Sequence, residues 1–144
     1  MNLRVLVTGS RKWNDWRAIE IALVDVWAAN FDPDDPRIQR EHLDKHPPIL
    51  IHGDAYGADR IAESIWQRFY DGLYKIESYR ARDFPDPKAR NQHMVDLGAD
   101  VCLVFALKWA SGTGHCARAA RRAGIHTVDL GVSTAVEDRP GAAT

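Results

Sequence analysis

Net charge is almost absent from this chain: 19 Lys and Arg stand against 20 Asp and Glu, a balance of −1. No global field draws such a protein to nucleic acid or anionic lipid, which leaves room only for a local basic patch. Cysteine is scarce as well. Cys102 and Cys116 form neither a CxxC pair nor a metal-ligand series, so both are expected as reduced thiols of a cytoplasmic protein. His42 and His46 have the i, i+4 spacing of a metal pair, but their proline-bearing surroundings supply no clear third ligand, and no metal is expected. No apolar run approaches the roughly 20 residues that cross a bilayer. The first residues, Met1-Asn2-Leu3-Arg4, enter a strand at once and lack a signal peptide's apolar region, so neither membrane nor leader is expected. The GxxxxGKS of a P-loop and the full GxGxxG of a dinucleotide fold are missing too.

What is present is a globular composition, 45% apolar and 27% charged over 144 residues, enough for one domain with a real core. We expect that domain over residues 1–132 and a frayed tail of small and polar residues over 133–144. Residues 30–47, with Pro33, Asp34, Asp35, Pro36 and Pro47, read as a surface excursion with room for one short helical turn, and not as a domain boundary.

The chain is organised around Ile49-Leu50-Ile51-His52-Gly53-Asp54-Ala55-Tyr56-Gly57-Ala58-Asp59. A short apolar run stops at Gly53, a glycine-punctuated turn follows, and Ile61, Ile65 and Phe69 then keep helical spacing to about Tyr70. Before it, residues 3–8 read as a strand ending in Gly9-Ser10-Arg11. Asn14 or Asp15 then caps a helix carrying Trp16, Ile19, Leu23, Val26 and Trp27. After it come a helix end at Asp71-Gly72, a strand over 74–79, a loop over 80–87 and a helix over 88–97 closed by Gly98. Val101 to Ala106 is an apolar run of the kind buried on both faces. Ser111-Gly112-Thr113-Gly114 opens a helix rich in alanine and arginine that ends at Gly124, and 125–130 is a last strand.

Five alternations of strand and helix predict an α/β fold: a three-layer, Rossmann-like domain with a five-stranded, mainly parallel sheet of order 3-2-1-4-5 and helices on both faces. That order puts a crevice between strands 1 and 4, at the carboxyl edge where the winding reverses. The loops at 9–11, 53–59 and 111–114 all fall on that edge.

Those loops suggest ligand chemistry. A helix opened by Ser111, Gly112, Thr113 and Gly114 offers unpaired N–H groups and a positive dipole end to a phosphate, although a simple helix cap would use the same residues. Gly9, Ser10 and Arg11 lie beside the crevice, where Arg11 could fork onto a phosphate or stay solvated. Arg90, beside Asn91, starts a helix anchored by Met94 and Leu97 and could reach over the crevice. Asp54, Asp59 and Asp83 are the carboxylates available for a ribose or base edge, with Gly53 and Gly57 allowing close approach. Asp59 is alternatively a stabilising charge in the first turn of a helix. Trp13 and Tyr56 are candidates for stacking on a base or for ordinary packing.

Val-Thr-Gly-Ser-Arg at 7–11, His-Gly-Asp-Ala-Tyr-Gly-Ala-Asp at 52–59, Arg-Asn-Gln-His-Met at 90–94, Gly-Ala-Asp at 98–100 and Gly-Thr-Gly-His at 112–115 occur in that order. Together they resemble the YspA-like branch of the SLOG superfamily, which also holds the DprA/Smf DNA-processing proteins and the LOG phosphoribohydrolases. The resemblance spans roughly residues 3–130 and implies a Rossmann-like fold that binds nucleotides or nucleotide-derived signals at these loops. Arg90 matches the arginine of the LOG RKxxM segment. In the LOG phosphate loop, PGGxGTxxE, the last glutamate is catalytic; aligning Gly112-Thr113 on that GT puts Cys116 at its position, and the Pro-Gly-Gly is absent.

The expectation is therefore binding or sensing of a nucleotide or nucleotide-derived ligand at the carboxyl edge, with no cofactor. One alternative is a LOG-like N-glycosidic hydrolase or transferase in which Asp54, Asp83 or Arg90 serves the chemistry. A further one is DprA-like single-stranded DNA binding, against which the charge balance argues. A homodimer is expected from the LOG-like resemblance and from five tryptophans in so small a chain; a nucleic-acid partner is not.

Overall fold

The computed structural model describes residues 2–30, 34, 41, 43–69, 75–106 and 111–131, with the side chains of Ser111 and Gly112 left aside. In chain order these form β1 (Arg4–Gly9), α1 (Trp16–Asn30), β2 (Ile49–His52), α2 (Ala58–Trp66), β3 (Lys75–Ser78), a 3-10 turn (Ala81–Asp83), α3 (Pro87–Leu97), β4 (Val101–Phe105), α4 (Ser111–Arg122) and β5 (His126–Asp129). The sheet has the order β3-β2-β1-β4-β5, and each neighbouring pair is parallel. Both the expected order and the switch point between β1 and β4 are therefore observed.

Alternation along the strands sorts the core into two halves. Val5 and Val7 of β1, with Leu50, Leu103 and Phe105, pack under α1 and α2. Their neighbours Leu6, Ile49, Ile51, Cys102 and Val104 face α3 and α4, meeting Met94, Val95, Cys116 and the alanines 117, 119 and 120. The alanines of α4 let that helix lie close on the sheet. Helices thus cover both faces. Among the described residues no helix is long and apolar enough to cross a membrane.

Local chemistry fixes the helix ends. Asp15 accepts the amide of Ala18 at 3.0 Å and so caps α1, and Asp86 accepts that of Ala89 at 2.8 Å ahead of Pro87 in α3. The expected start at Lys88 therefore moves back one residue. Gly98, at φ 90°, closes α3 as expected. The second helix stops at Trp66, short of Tyr70, because the amide of Arg68 turns back to the carbonyl of Ile65 three residues earlier.

Two expectations need correction. Trp16 stands on the solvent side of α1 at 45% exposure, while Ile19, Ala22 and Leu23 carry the buried stripe. The excursion at 30–47 is not all surface: Leu43, 1% exposed within a short helical stretch, enters the core beneath α1. The helix end at Asp71-Gly72, the start of the third strand at Tyr74, most of 31–42, the segment 107–110 and the tail 133–144 lie outside the described residues.

Candidate functional site

The carboxyl edge is built first by contact between its loops. Ser10, just past β1, donates its amide to the carbonyl of Phe105 on β4 at 2.8 Å. Its own carbonyl accepts the amides of Trp13 and Ala58, both at 3.2 Å. The turn after β1 is thus stitched to the strand across the switch point and to the start of α2. Gly57, at φ 81°, lies against this turn, and a Cβ there would overlap the carbonyl oxygen of Ser10. A Cβ on Gly9 would overlap the carbonyl oxygen of Phe105. These two glycines allow the close approach that joins the loops.

The 53–59 loop is held from within. Asp59, 6% exposed, uses one carboxylate oxygen, Oδ2, to accept the amides of Gly53 at 3.0 Å and Ala55 at 3.3 Å. Burial pushes its carboxyl above the usual range, and His52, the two amides and Arg90 oppose that rise. His52 is fully buried. Its Nδ1 accepts the amide of Asp54 at 2.9 Å, which puts the ring proton on Nε2, 2.7 Å from the Glu63 carboxylate. This pairing holds Asp54 in the left-handed region at φ 57°, a conformation that aspartate tolerates better than most residues.

Arg90 ties this loop to the next one. Its Nη1 donates to the carbonyls of Gly53 at 2.8 Å and Tyr79 at 3.2 Å, and its Nε donates to Asn91 Oδ1 at 2.8 Å. Nη2 has no partner among the described residues. Gly53 is glycine for this reason, since a Cβ there would overlap the Arg90 guanidinium. Asn91, 3% exposed, places its amide nitrogen 3.4 Å from His115 Nδ1 and so links α3 to α4. Burial, then Lys88, Arg122 and Arg118, pushes the His115 imidazole below its ordinary value, with Asp86 opposing.

The expected site residues therefore divide. Ser10, Gly53, Asp54, Asp59, Arg90 and Asn91 are hydrogen-bonded into the loops of the carboxyl edge, and Gly9 and Gly57 pack closely against the same backbone. Thr113 and Gly114 lie in the first turn of α4 on the same edge, which Ser111 and Gly112 open. Arg11 is exposed and makes no recorded polar contact among the described residues. Asp59 is buried and spends its Oδ2 on two backbone amides, so it holds the loop from within. Asp83 is exposed and pairs with Arg80 at 3.7 Å, and Asp54, in the loop after β2, contacts Arg60 at 3.4 Å. Trp13 is not available for stacking, being 4% exposed against Phe105 with ring centroids 5.6 Å apart. Tyr56 is 67% exposed, with the Arg60 guanidinium 4.1 Å from its ring centre.

Cys116 is not a replacement acid. It is buried against Thr8, and burial pushes its thiol up to about 11. The sequence reading missed His52, Glu63 and His115. A histidine closing an apolar strand, with a glutamate eleven residues on along the next helix, was the available signal for the first two.

No family model matches this chain, and no solved structure matches it. A curated relative does: the Gene 61 protein of Mycobacterium phage D29 is 36% identical over 134 residues, covering 89% of this chain and 96% of that one.

Proposed function

The chain belongs to the family of the Gene 61 protein of Mycobacterium phage D29, and we propose that it binds a nucleotide or nucleotide-derived ligand at the carboxyl edge between β1 and β4. The observation that carries this reading is the convergence there of three pieces: the stitched 9–11 and 53–59 loops, the Arg90–Asn91 pair, and the glycine-bearing start of α4. Two Arg90 hydrogens on Nη2 remain for an anion, and the first turn of α4 adds its own amides. The ordered motifs support placing the chain in the YspA-like branch of the SLOG superfamily, as a cytoplasmic protein.

Binding without hydrolysis is the favoured form. Cys116 stands where a LOG glutamate would act and is buried and protonated. Asp59 is committed to the loop and Asp83 lies exposed beside Arg80, which leaves Asp54, paired with Arg60 at 3.4 Å, as the one candidate carboxylate a hydrolase would have to use. The test is calorimetry with a panel of adenine and guanine nucleotides on the parent and on Gly112→Asp, each first shown folded by circular dichroism. The parent should bind a member of the panel and Gly112→Asp should not. Binding by neither protein, or equal binding by both, refutes the reading; release of ribose 5-phosphate at enzymatic turnover would replace it with the hydrolase.

Self-association belongs to the same proposal. The outer side of α1 exposes Ile21 and Val24 at 48% and 45%, one helical turn apart, with Trp16 at its start. A dimer mass is expected by light scattering, falling to the monomer on Val24→Glu; a monomeric parent at high micromolar concentration rejects it.

A further inference from the structure

A row of basic side chains runs away from the proposed crevice along α4. His115, Arg118 and Arg122 follow one another at i, i+3 and i+7, the spacing of a single helix face. The guanidinium of Arg118 folds back over the first turn, since a Cβ on Gly114 would lie 2.8 Å from its Nη1. Lys88, from the start of the neighbouring α3, acts on the same imidazole as Arg118 and Arg122. Among the described residues that act on His115 the one carboxylate is Asp86, which is already capping Ala89. No ion pair is recorded for Lys88, Arg118 or Arg122 among the described residues, and all three are exposed. Neighbouring cations ordinarily alternate with acids on a helix surface, because like charges at this spacing repel.

We propose that Lys88, Arg118 and Arg122, grouped around His115, form a landing strip for a phosphate chain, so that the ligand is a nucleotide carrying two or more phosphates. This rests on the crevice reading above and specifies its ligand. The strip starts at the first turn of α4 and extends about 10 Å at 1.5 Å per residue. That length suits the phosphate chain of one nucleotide. A polynucleotide needs a longer basic track, and the chain as a whole has a net charge of −1. Two arginines offer planar forks to phosphate oxygens and the lysine a point charge.

The experiment is calorimetry at fixed ionic strength without magnesium, using AMP, ADP, ATP, inorganic tripolyphosphate and a short oligothymidylate. The proteins are the parent and the Lys88→Gln/Arg118→Gln double variant, both surface changes checked by circular dichroism. For the parent, affinity should rise about tenfold for each phosphate beyond the first. In the double variant the ATP-to-AMP ratio should fall to near one, whatever happens to AMP itself. An unchanged ratio in the double variant, or a parent that binds all three alike, overturns the proposal. Should no nucleotide bind the parent, the crevice reading fails and the nucleotide ligand falls with it. Tripolyphosphate then separates the two failures. Its binding to the parent and loss in the double variant supports the strip as a phosphate-chain site, whereas no binding, or binding unchanged in the double variant, removes the strip as well. Oligothymidylate binding more tightly than ATP and abolished in the double variant would also overturn the proposal, in favour of a single-stranded nucleic acid.

Discussion

Replacing Asp59 tests what holds the 53–59 loop in shape. Its Oδ2 alone receives both loop amides, Gly53 at 3.0 Å and Ala55 at 3.3 Å, in a site 6% exposed. Asp59→Ala strands two donors that sit beneath the loop. Each bond to a charged acceptor contributes roughly 1.5–3 kcal/mol, and the alanine also removes a carboxylate whose burial is itself unfavourable. The two effects partly offset, leaving a net loss of about 2–4 kcal/mol. With a urea slope of about 2 kcal/mol per molar, the unfolding midpoint should fall by about 1–2 M. Asp59→Asn separates oxygen from charge: an amide oxygen in the place of Oδ2 keeps both acceptances, so its loss should stay near 1 kcal/mol. Equilibrium urea unfolding, followed by tryptophan fluorescence and circular dichroism together, reads both variants. If alanine costs less than about 0.5 kcal/mol, the loop does not depend on this anchor. If asparagine costs as much as alanine, the charge matters and not the shared oxygen.

Four further outcomes follow from the same structure. Gly57→Ala should destabilise by about 3 kcal/mol or more, because it adds overlap with the Ser10 carbonyl to the strain of φ 81°. Gly98→Ala, at φ 90° with open space around it, should show the conformational cost alone, about 1–2 kcal/mol in thermal unfolding. Neither Cys102 nor Cys116 should react with a thiol reagent at pH 8 in the folded protein, since burial raises both thiols, Cys116 to about 11; both should react in urea. The His115 imidazole should titrate below its reference of 6.5 by NMR, because burial, Lys88, Arg122 and Arg118 disfavour its proton and Asp86 alone favours it. Its neutral form is the one that suits the fold, so its contribution to stability is present above pH 6.5 and is lost as pH falls toward the folded value. Lys88→Gln should move the titration back upward.

Much of the fold was legible because a doubly wound sheet writes itself into periodicity. Val101 to Phe105 is buried along its whole length, and a run of that kind in a βαβ pattern has few alternatives to a central parallel strand. Helix ends were legible where one residue sets them, as Gly98 does, and less so where the backbone retightens, as after Trp66. Trp16 misled because a large apolar residue at a helix start fits the buried period and the solvent side equally well until the sheet fixes the helix's rotation. Leu43 misled in the opposite direction: a single leucine among charges and prolines carries no period at all, yet it enters the core.

The site was legible as an address and not as a wiring diagram. Glycines at 9, 53 and 57 marked where chain segments approach closely, but a sequence does not say what approaches. For all three the structure supplies a protein atom: the Phe105 carbonyl at Gly9, the Arg90 guanidinium at Gly53, the Ser10 carbonyl at Gly57. Arg90 shows why this matters for function. Read as a free cation it would be a simple phosphate clamp, but Nη1 and Nε already hold two carbonyls and an amide oxygen, so only Nη2 remains for a ligand. An arginine fixed in this way loses little conformational freedom when an anion arrives, and its position depends on Gly53 having no side chain. Gly53 and Arg90 therefore act as one unit. A substitution at Gly53 would displace the guanidinium and weaken anion binding without touching the anion, an effect that no reading of Gly53 as a ligand contact would distinguish from a direct one.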